Sequence, residues 1–207
     1  MIRTKRELRF FIIADMIMNY GTTNNSVLTR LKRVIMSDFR GAFLKHMRCV
    51  DYWCNRTSLK AKLFRTWHLF WFNRYSLKCG FSIAPSVFGY GLVIPHCGTI
   101  VVGGGCKSGN YAVLHTSICI TANEKKIGNN FYVSTGAKFI APIVIGDNVM
   151  IASNSVVGKG SNGVHDCLLA GMPAMNKGER VAWWKTSPVF KERVCMVESL
   201  KGKYNIQ

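Results

Sequence analysis

The chain has 207 residues, 48% of them hydrophobic, and carries 28 Lys and Arg against 10 Asp and Glu. That hydrophobic share excludes general disorder, and the length allows a core that needs no staples. The longest apolar run, Phe10 to Met18, is too short to span a bilayer and contains Asp15.

The excess of positive charge is uneven. Residues 1–78 hold 16 Lys and Arg against 4 Asp and Glu, whereas residues 79–207 hold 12 against 6. A basic first third favours nucleic acid, anionic lipid or phosphorylated ligands, and charge alone does not choose among them. The early residues are basic, but no small-residue cleavage site follows the apolar stretch, so no cleaved leader is expected, and the chain is placed in the cytoplasm or at the inner face of the membrane. Eight cysteines, at 49, 54, 79, 97, 106, 119, 167 and 195, include no C-x-x-C pair. They read as scattered thiols in a reducing compartment, and no metal site is expected.

The first 78 residues read as helices. Thr4-Lys-Arg-Glu7 is a capping box, with the Thr hydroxyl accepting at Glu7 and the Glu7 carboxylate reaching back. Leu8, Phe11, Ile12, Asp15 and Met16 then share one face at helical spacing, Asp15 being the odd member. Residues 21–25, GTTNN, form a turn. A second helix is expected to run unbroken from about Ser26 to Trp53, and a third follows the break at residues 55–58.

In that third helix, Phe64, Trp67, Phe70, Trp71, Phe72 and Tyr75 lie among Lys60, Lys62, Arg65, Arg74 and Lys78. Basic and aromatic residues so interleaved suit a peripheral membrane contact. Packing of the aromatics against the next domain or a neighbouring subunit is the plainer reading. No RNP-type or finger motif speaks for nucleic acid.

From about Cys79 the period changes. Residues 127–162 align in blocks of six, with Ile127, Val133, Phe139, Ile145, Ile151 and Val157 at position one. Position five holds Phe131, Ala137, Ile143, Val149, Ser155 and Ser161. An upstream set begins at Val102, Ser108 and Leu114, with Ser108 a flaw, and TANEKK then shifts the phase by one residue. A period of six is the mark of a parallel β-helix whose coils must stack to bury their interior.

These hexads, with GYGLVIPHCGTIVVG (89–103), KIGNNFYVSTGAKFIAPIVIGDNVMIASNSVV (126–157) and LAGMPA (169–174), resemble the hexapeptide-repeat acyltransferases. The match is nearest to their serine acetyltransferase-like branch and covers about residues 76–176. It implies a mainly β fold: a left-handed parallel β-helix over 79–176, with a helical region 1–78 and a C-terminal capping helix and tail over 177–207. It also implies a homotrimer with active sites between subunits and acetyl-CoA as donor. Trp183 and Trp184 are expected to cover the open end of the coil.

The segment IPHCGTIVV coincides with the family's catalytic-histidine segment, so His96 is the expected general base. A neutral imidazole suits proton removal from an attacking hydroxyl. Backbone N–H groups beside glycines such as Gly98 are candidate oxyanion donors. Cys97 reads as an inert thiol. His115 lies about one coil further on, placed either to line the same cleft or on a solvated face. His46 and His68 fall in helices and His165 in a loop, and none is assigned a role. By resemblance, the CoA groove would use Gly136 and Ala137 with Asn154 and Ser155 one coil on. Lys138, Lys159 and Lys177 are candidates for its phosphates.

The match departs from the family at two places. The orienting aspartate is replaced by Ser82, and the second, serine-binding histidine falls near Glu124. A serine hydroxyl can fix a tautomer but does not stabilise an imidazolium as a carboxylate does. Other members of the branch it resembles acetylate sugar hydroxyls in capsule or exopolysaccharide synthesis. The basic, aromatic N-terminal region suits an acceptor held on a polyprenyl phosphate at the membrane, so the resemblance implies a sugar in preference to serine. A non-catalytic trimeric scaffold remains an alternative. A carbonic-anhydrase-like relative would need three clustered histidines, and the β-helix offers only His96 and His115.

Overall fold

The computed structural model describes residues 2–23 and 26–206. Of the turn expected at 21–25, Asn24 and Asn25 lie outside the described residues. Four helices precede the repeats: α1 Lys5–Tyr20, α2 Val27–Ile35, α3 Arg40–Cys54 and α4 Leu59–Cys79. A fifth, α5 Pro188–Lys203, follows them. No helix of the described residues is long and apolar enough to cross a membrane.

Between Phe81 and Ala170 the chain winds into a parallel solenoid of about five turns. The first face stacks Phe81–Ile83, Ile100–Val102, Ile118–Ile120, Lys138–Phe139 and Val156–Val157. The second stacks Cys106–Ser108, Lys125–Ile127 and Ile143–Ile145. The third stacks Val113–Leu114, Tyr132–Val133, Met150–Ile151 and Cys167–Ala170, to which Met175–Glu179 adds an antiparallel edge.

The hexads are built as read. All twelve side chains at positions one and five, from Ile127 to Ser161, are buried in the coil. Each fully buried aliphatic or aromatic side chain is worth roughly 1.5–3 kcal/mol, which a single coil could not collect alone. The phase shift also sits where expected. Ile100 pairs with Ile118, but Cys119 pairs with Lys138, so the extra residue falls in the loop after Ile120. There Lys125 is buried and its ammonium donates to Thr121 O at 3.0 Å, Thr121 Oγ1 at 2.9 Å and the Asn123 side chain. Burial holds its pKa below the usual lysine range. Ser108, the flawed hexad position, leaves a buried hydroxyl without a hydrogen-bond partner.

The helices close two surfaces of the solenoid. Phe43 of α3 packs on Phe72 of α4 at 5.3 Å and edge-on to Phe81 at 5.0 Å, sealing the first coil so that its interior and the α3–α4 core are continuous. Helices α1 and α5 cover the outside of the third face. Phe10, Ile17, Val194 and Val197 pack there against Tyr90, Val93, Tyr111 and Val113.

Several expectations are corrected. The long second helix is two helices, because the chain turns at Ser37, which sits at φ 54°, and Asp38 ion-pairs with Arg40 at 2.8 Å. The buried stripe of α1 runs through Phe10, Ala14 and Ile17, not through Leu8, Phe11 and Ile12, because it faces both the third face and α3. The capping box forms at Thr4, but the Glu7 carboxylate accepts from the Arg3 N–H. Trp183 and Trp184 do not cover the open end of the coil. They lie along the third face, donating to Tyr111 O at 2.8 Å and Asn130 Oδ1 at 2.9 Å, and α5 is likewise a side brace.

Candidate active site

Strand Val113–Leu114 ends at His115, and the parallel bridge from Val93 to Val113 sets Pro95-His96 beside His115-Thr116 of the next coil. Both histidines therefore stand where the third face turns into the first. His96 is exposed and His115 half-buried. The His115 Nε2 and the Tyr132 hydroxyl are 2.8 Å apart. Burial, and secondarily the nearby His96, holds the His115 pKa below the usual histidine range, so it is neutral at pH 7. No described side chain hydrogen-bonds His96.

The turn is shaped by its glycine. Gly98 has φ 146°, and a Cβ there would meet Thr116 Cγ2 at 2.9 Å. The Gly98 N–H is given to Cys79 O at 2.8 Å, so the candidate oxyanion donors are the N–H groups on either side of it. The N–H groups of Cys97 and Thr99 make no hydrogen bond among the described residues and remain available. Cys97 is exposed in this turn, with the buried Cys79 thiol against it.

The histidine turn is gripped from the helical side by a polar network that the sequence did not disclose. Arg48 of α3 and Asp15 of α1 form a buried ion pair at 2.8 Å. Burial pushes the Asp15 pKa up, and Arg48 opposes that shift. Arg48 also donates to the carbonyls of Phe88 and Gly89, at 2.6 and 2.7 Å, while Asp15 accepts from the Leu92 N–H at 3.0 Å. Asn19 bonds both Leu92 O and the Ile94 N–H. Arg40, paired with Asp38, donates to Ile94 O at 2.9 Å and to Pro95 O. The one available signal was Asp15 itself, an acid on an apolar helix face.

Further expected residues fall on the same corner. Gly136 precedes Lys138, and Asn154 stacks beneath, its N–H donating to Thr135 O at 2.9 Å. Gly136 lies at φ +79°, and a Cβ there would come within 2.0 Å of Asn154 Oδ1. Ala137 and Ser155 face the coil interior, where Ser155 Oγ accepts from the Gly171 N–H at 3.2 Å, so only their backbones border the corner. The Lys138 ammonium donates to Ser117 O at 3.0 Å and Gly136 O at 3.1 Å, leaving one of its three donors for a ligand.

Other expected residues do not converge there. Ser82 is exposed on the first face, in the hollow beside Phe72 and Asn73, and makes no hydrogen bond to His96; the orienting contact assigned to it is not formed. Glu124 stands at the next corner, where the first face meets the second, in an exposed pair with Lys126 at 3.4 Å. Lys159 lies in the short turn after Val157, and Lys177 on the antiparallel edge strand, both exposed and away from the histidines. His165 pairs with Asp166 at 2.7 Å beside a separate hollow of about 730 Å³. His46 and His68 face each other with Nδ1 atoms 3.0 Å apart.

Residues 124–159 match the bacterial transferase hexapeptide family, six repeats. A serine acetyltransferase of Synechococcus elongatus is 31% identical over 105 residues, spanning 47% of this chain and 42% of that protein. The chain thus covers less than half the length of this curated relative. Among solved structures, a soybean serine acetyltransferase apoenzyme superposes with a TM-score of 0.61 at 19% identity, over 82% of this chain and 69% of that one. A Brucella abortus serine acetyltransferase in complex with coenzyme A gives 0.59 at 22%, over 85% and 68%. Over residues 124–159 the chain is thus similar to the hexapeptide-repeat transferases, and as a whole it has the left-handed β-helix fold of these serine acetyltransferase structures.

Proposed function

We propose that the protein is an acetyl-CoA-dependent O-acetyltransferase in which His96 is the general base. The observation that carries this reading is the meeting of an exposed His96 with His115 on one corner of the solenoid, above a column of small residues. Bound there, acetyl-CoA supplies the activated acyl group. The corner fits such a molecule in shape, since Gly136 and the exposed Asn154 leave the backbone open, and in charge through Lys138. His96 takes the proton from the acceptor hydroxyl as that oxygen attacks the thioester carbonyl; the C–S bond breaks, and CoA leaves as the thiol with that proton. The Cys97 and Thr99 N–H groups face the charge that develops on the carbonyl oxygen. His115, held by Tyr132, binds the acceptor with a neutral ring. A homotrimer, with each corner completed by a neighbouring subunit, fits this exposed site.

The acceptor we infer is a sugar hydroxyl of a surface polysaccharide or its precursor. Ser82 and Glu124 occupy the positions at which the resemblance puts the orienting aspartate and the serine-binding histidine, and neither reaches His96. Serine is the second reading, favoured by the relatives named above. Release of CoA thiol from acetyl-CoA tests both, with L-serine and nucleotide sugars as acceptors. His96→Ala is expected to lower the productive rate by about 10²- to 10⁴-fold. Turnover with serine alone would overturn the sugar assignment, and unchanged turnover in His96→Ala would overturn the base.

A further inference from the structure

Helix α2 buries none of its residues, yet half of it is apolar. Val27, Leu28, Leu31, Val34 and Ile35 recur at helical spacing on one outward stripe, with Leu28 76% exposed. Arg30 and Lys32 flank that stripe, while Arg33 turns inward over the Tyr20 ring at 3.9 Å. Helix α4 repeats the pattern on a larger scale. Its inner face carries Ala61, Phe72 and Cys79 into the core. Its outer face carries Leu59, Leu63, Trp67, Phe70, Arg74 and Leu77, with Trp67 58% and Leu77 85% exposed. The two helices border one hollow of about 220 Å³, to which α2 contributes Arg30, Arg33 and Val34 and α4 contributes Tyr75.

The charge on these helices has one sign. Together α2 and α4 hold Arg30, Lys32, Arg33, Lys60, Lys62, Arg65, Arg74 and Lys78, and no Asp or Glu. A second copy of the same surface, placed face to face by a two-fold axis, would set cations against cations. An anionic bilayer meets both requirements at once. Its acyl boundary takes up the leucines and tryptophan, and its phosphates take the flanking Lys and Arg, whose aliphatic stems reach outward.

We propose that α2 and the outer face of α4 form an interfacial surface that seats the protein on an anionic lipid bilayer. The seat adjoins the histidine corner, because α4 ends at Cys79, whose carbonyl holds Gly98, and Arg40 between α2 and the corner holds Pro95. Membrane seating is independent of which hydroxyl the corner acetylates.

Flotation of the purified full chain tests this with two vesicle types, phosphatidylcholine mixed with phosphatidylglycerol, and phosphatidylcholine alone. Binding is expected to the anionic vesicles, to weaken as salt rises, and to be slight with phosphatidylcholine alone. Leu28→Asp with Leu31→Asp is expected to reduce binding by about tenfold or more, since two apolar side chains no longer enter the interface. Trp67→Ala with Phe70→Ala, on the other helix, is expected to act in the same direction. Circular dichroism checks that both variants keep their helices. Equal binding to both vesicle types, or unchanged binding by both folded variants, would overturn the proposal. So would a large assembly of the wild type in lipid-free solution that the same substitutions break apart, since the surface would then belong to a second copy.

Discussion

The solenoid and the helical region solve opposite problems. Inside the coils, order comes from repetition: each inward side chain stacks on its equivalent one turn away, and the interior is nearly free of polar groups. Where the helices meet the first coil, order comes from single contacts that occur once. Asp15, Asn19, Arg40 and Arg48 each hold named backbone groups between Phe88 and Pro95. A repeat tolerates a loss because its neighbours share the packing. A buried ion pair does not, because either partner left alone is a desolvated charge. The histidine turn was placed under the second kind of control.

That contrast breaks first at Arg48. Arg48→Ala is expected to cost about 3–5 kcal/mol in urea unfolding, since Asp15 loses its only cation and two carbonyls lose their donor. Ile151→Val, within the coil, is expected to cost about 0.5–1.5 kcal/mol; costs of equal size would erase the distinction. Arg40→Ala comes next, acting through the position of His96 and not through global stability. The acetyl transfer proposed for the corner is expected to slow by up to about 10²-fold with the melting temperature little changed, and Arg40→Lys is expected to restore part of it. A fall in melting temperature alone would reduce Arg40 to a structural brace.

Within the solenoid the effects are smaller. Lys125→Met strips the loop after Ile120 of its donor and is expected to cost about 1–3 kcal/mol. Ser108→Ala removes the unpartnered buried hydroxyl and is expected to gain about 1 kcal/mol, a change that a thermal melt resolves. The last effect is on pH dependence. Burial, with His68 and Lys45 adding to it, lowers the His46 pKa to about 4. The unfolded chain then binds a proton near pH 6.5 that the folded chain refuses, so stability falls as pH drops from about 6.5 to 4 and levels off below. His46→Gln is expected to flatten that slope.

The coil was legible because six-residue spacing leaves no other fold able to bury positions one and five together. Even its imperfections were visible, as a polar residue at Ser108 and a phase shift at TANE. The pairing of Gly136 with Asn154 followed from the same count. What the sequence hid lies in contacts between distant segments. Asp15 looked like a flaw on a helix face because Arg48, its partner, lies 33 positions away on another helix. The long second helix was misread because nothing local marks Ser37 as left-handed; the Asp38–Arg40 pair and the grip on Pro95 decide it. Ser82 was assigned by position in a motif, and only the backbone path shows it turned away from His96.

His96 and His115 belong to the first two coils, those nearest the α3–α4 seal, whereas Gly136 and Asn154 belong to coils below. The histidine pair and the small-residue column are thereby written in separate parts of the chain. Whole coils of 18 residues, the step from Lys138 to Val156, added after Val157 would lengthen the corner available to a long ligand. The two imidazoles would not move. Such a scaffold can be retuned for larger or smaller molecules by changing its number of turns, with the histidine turn inherited unaltered.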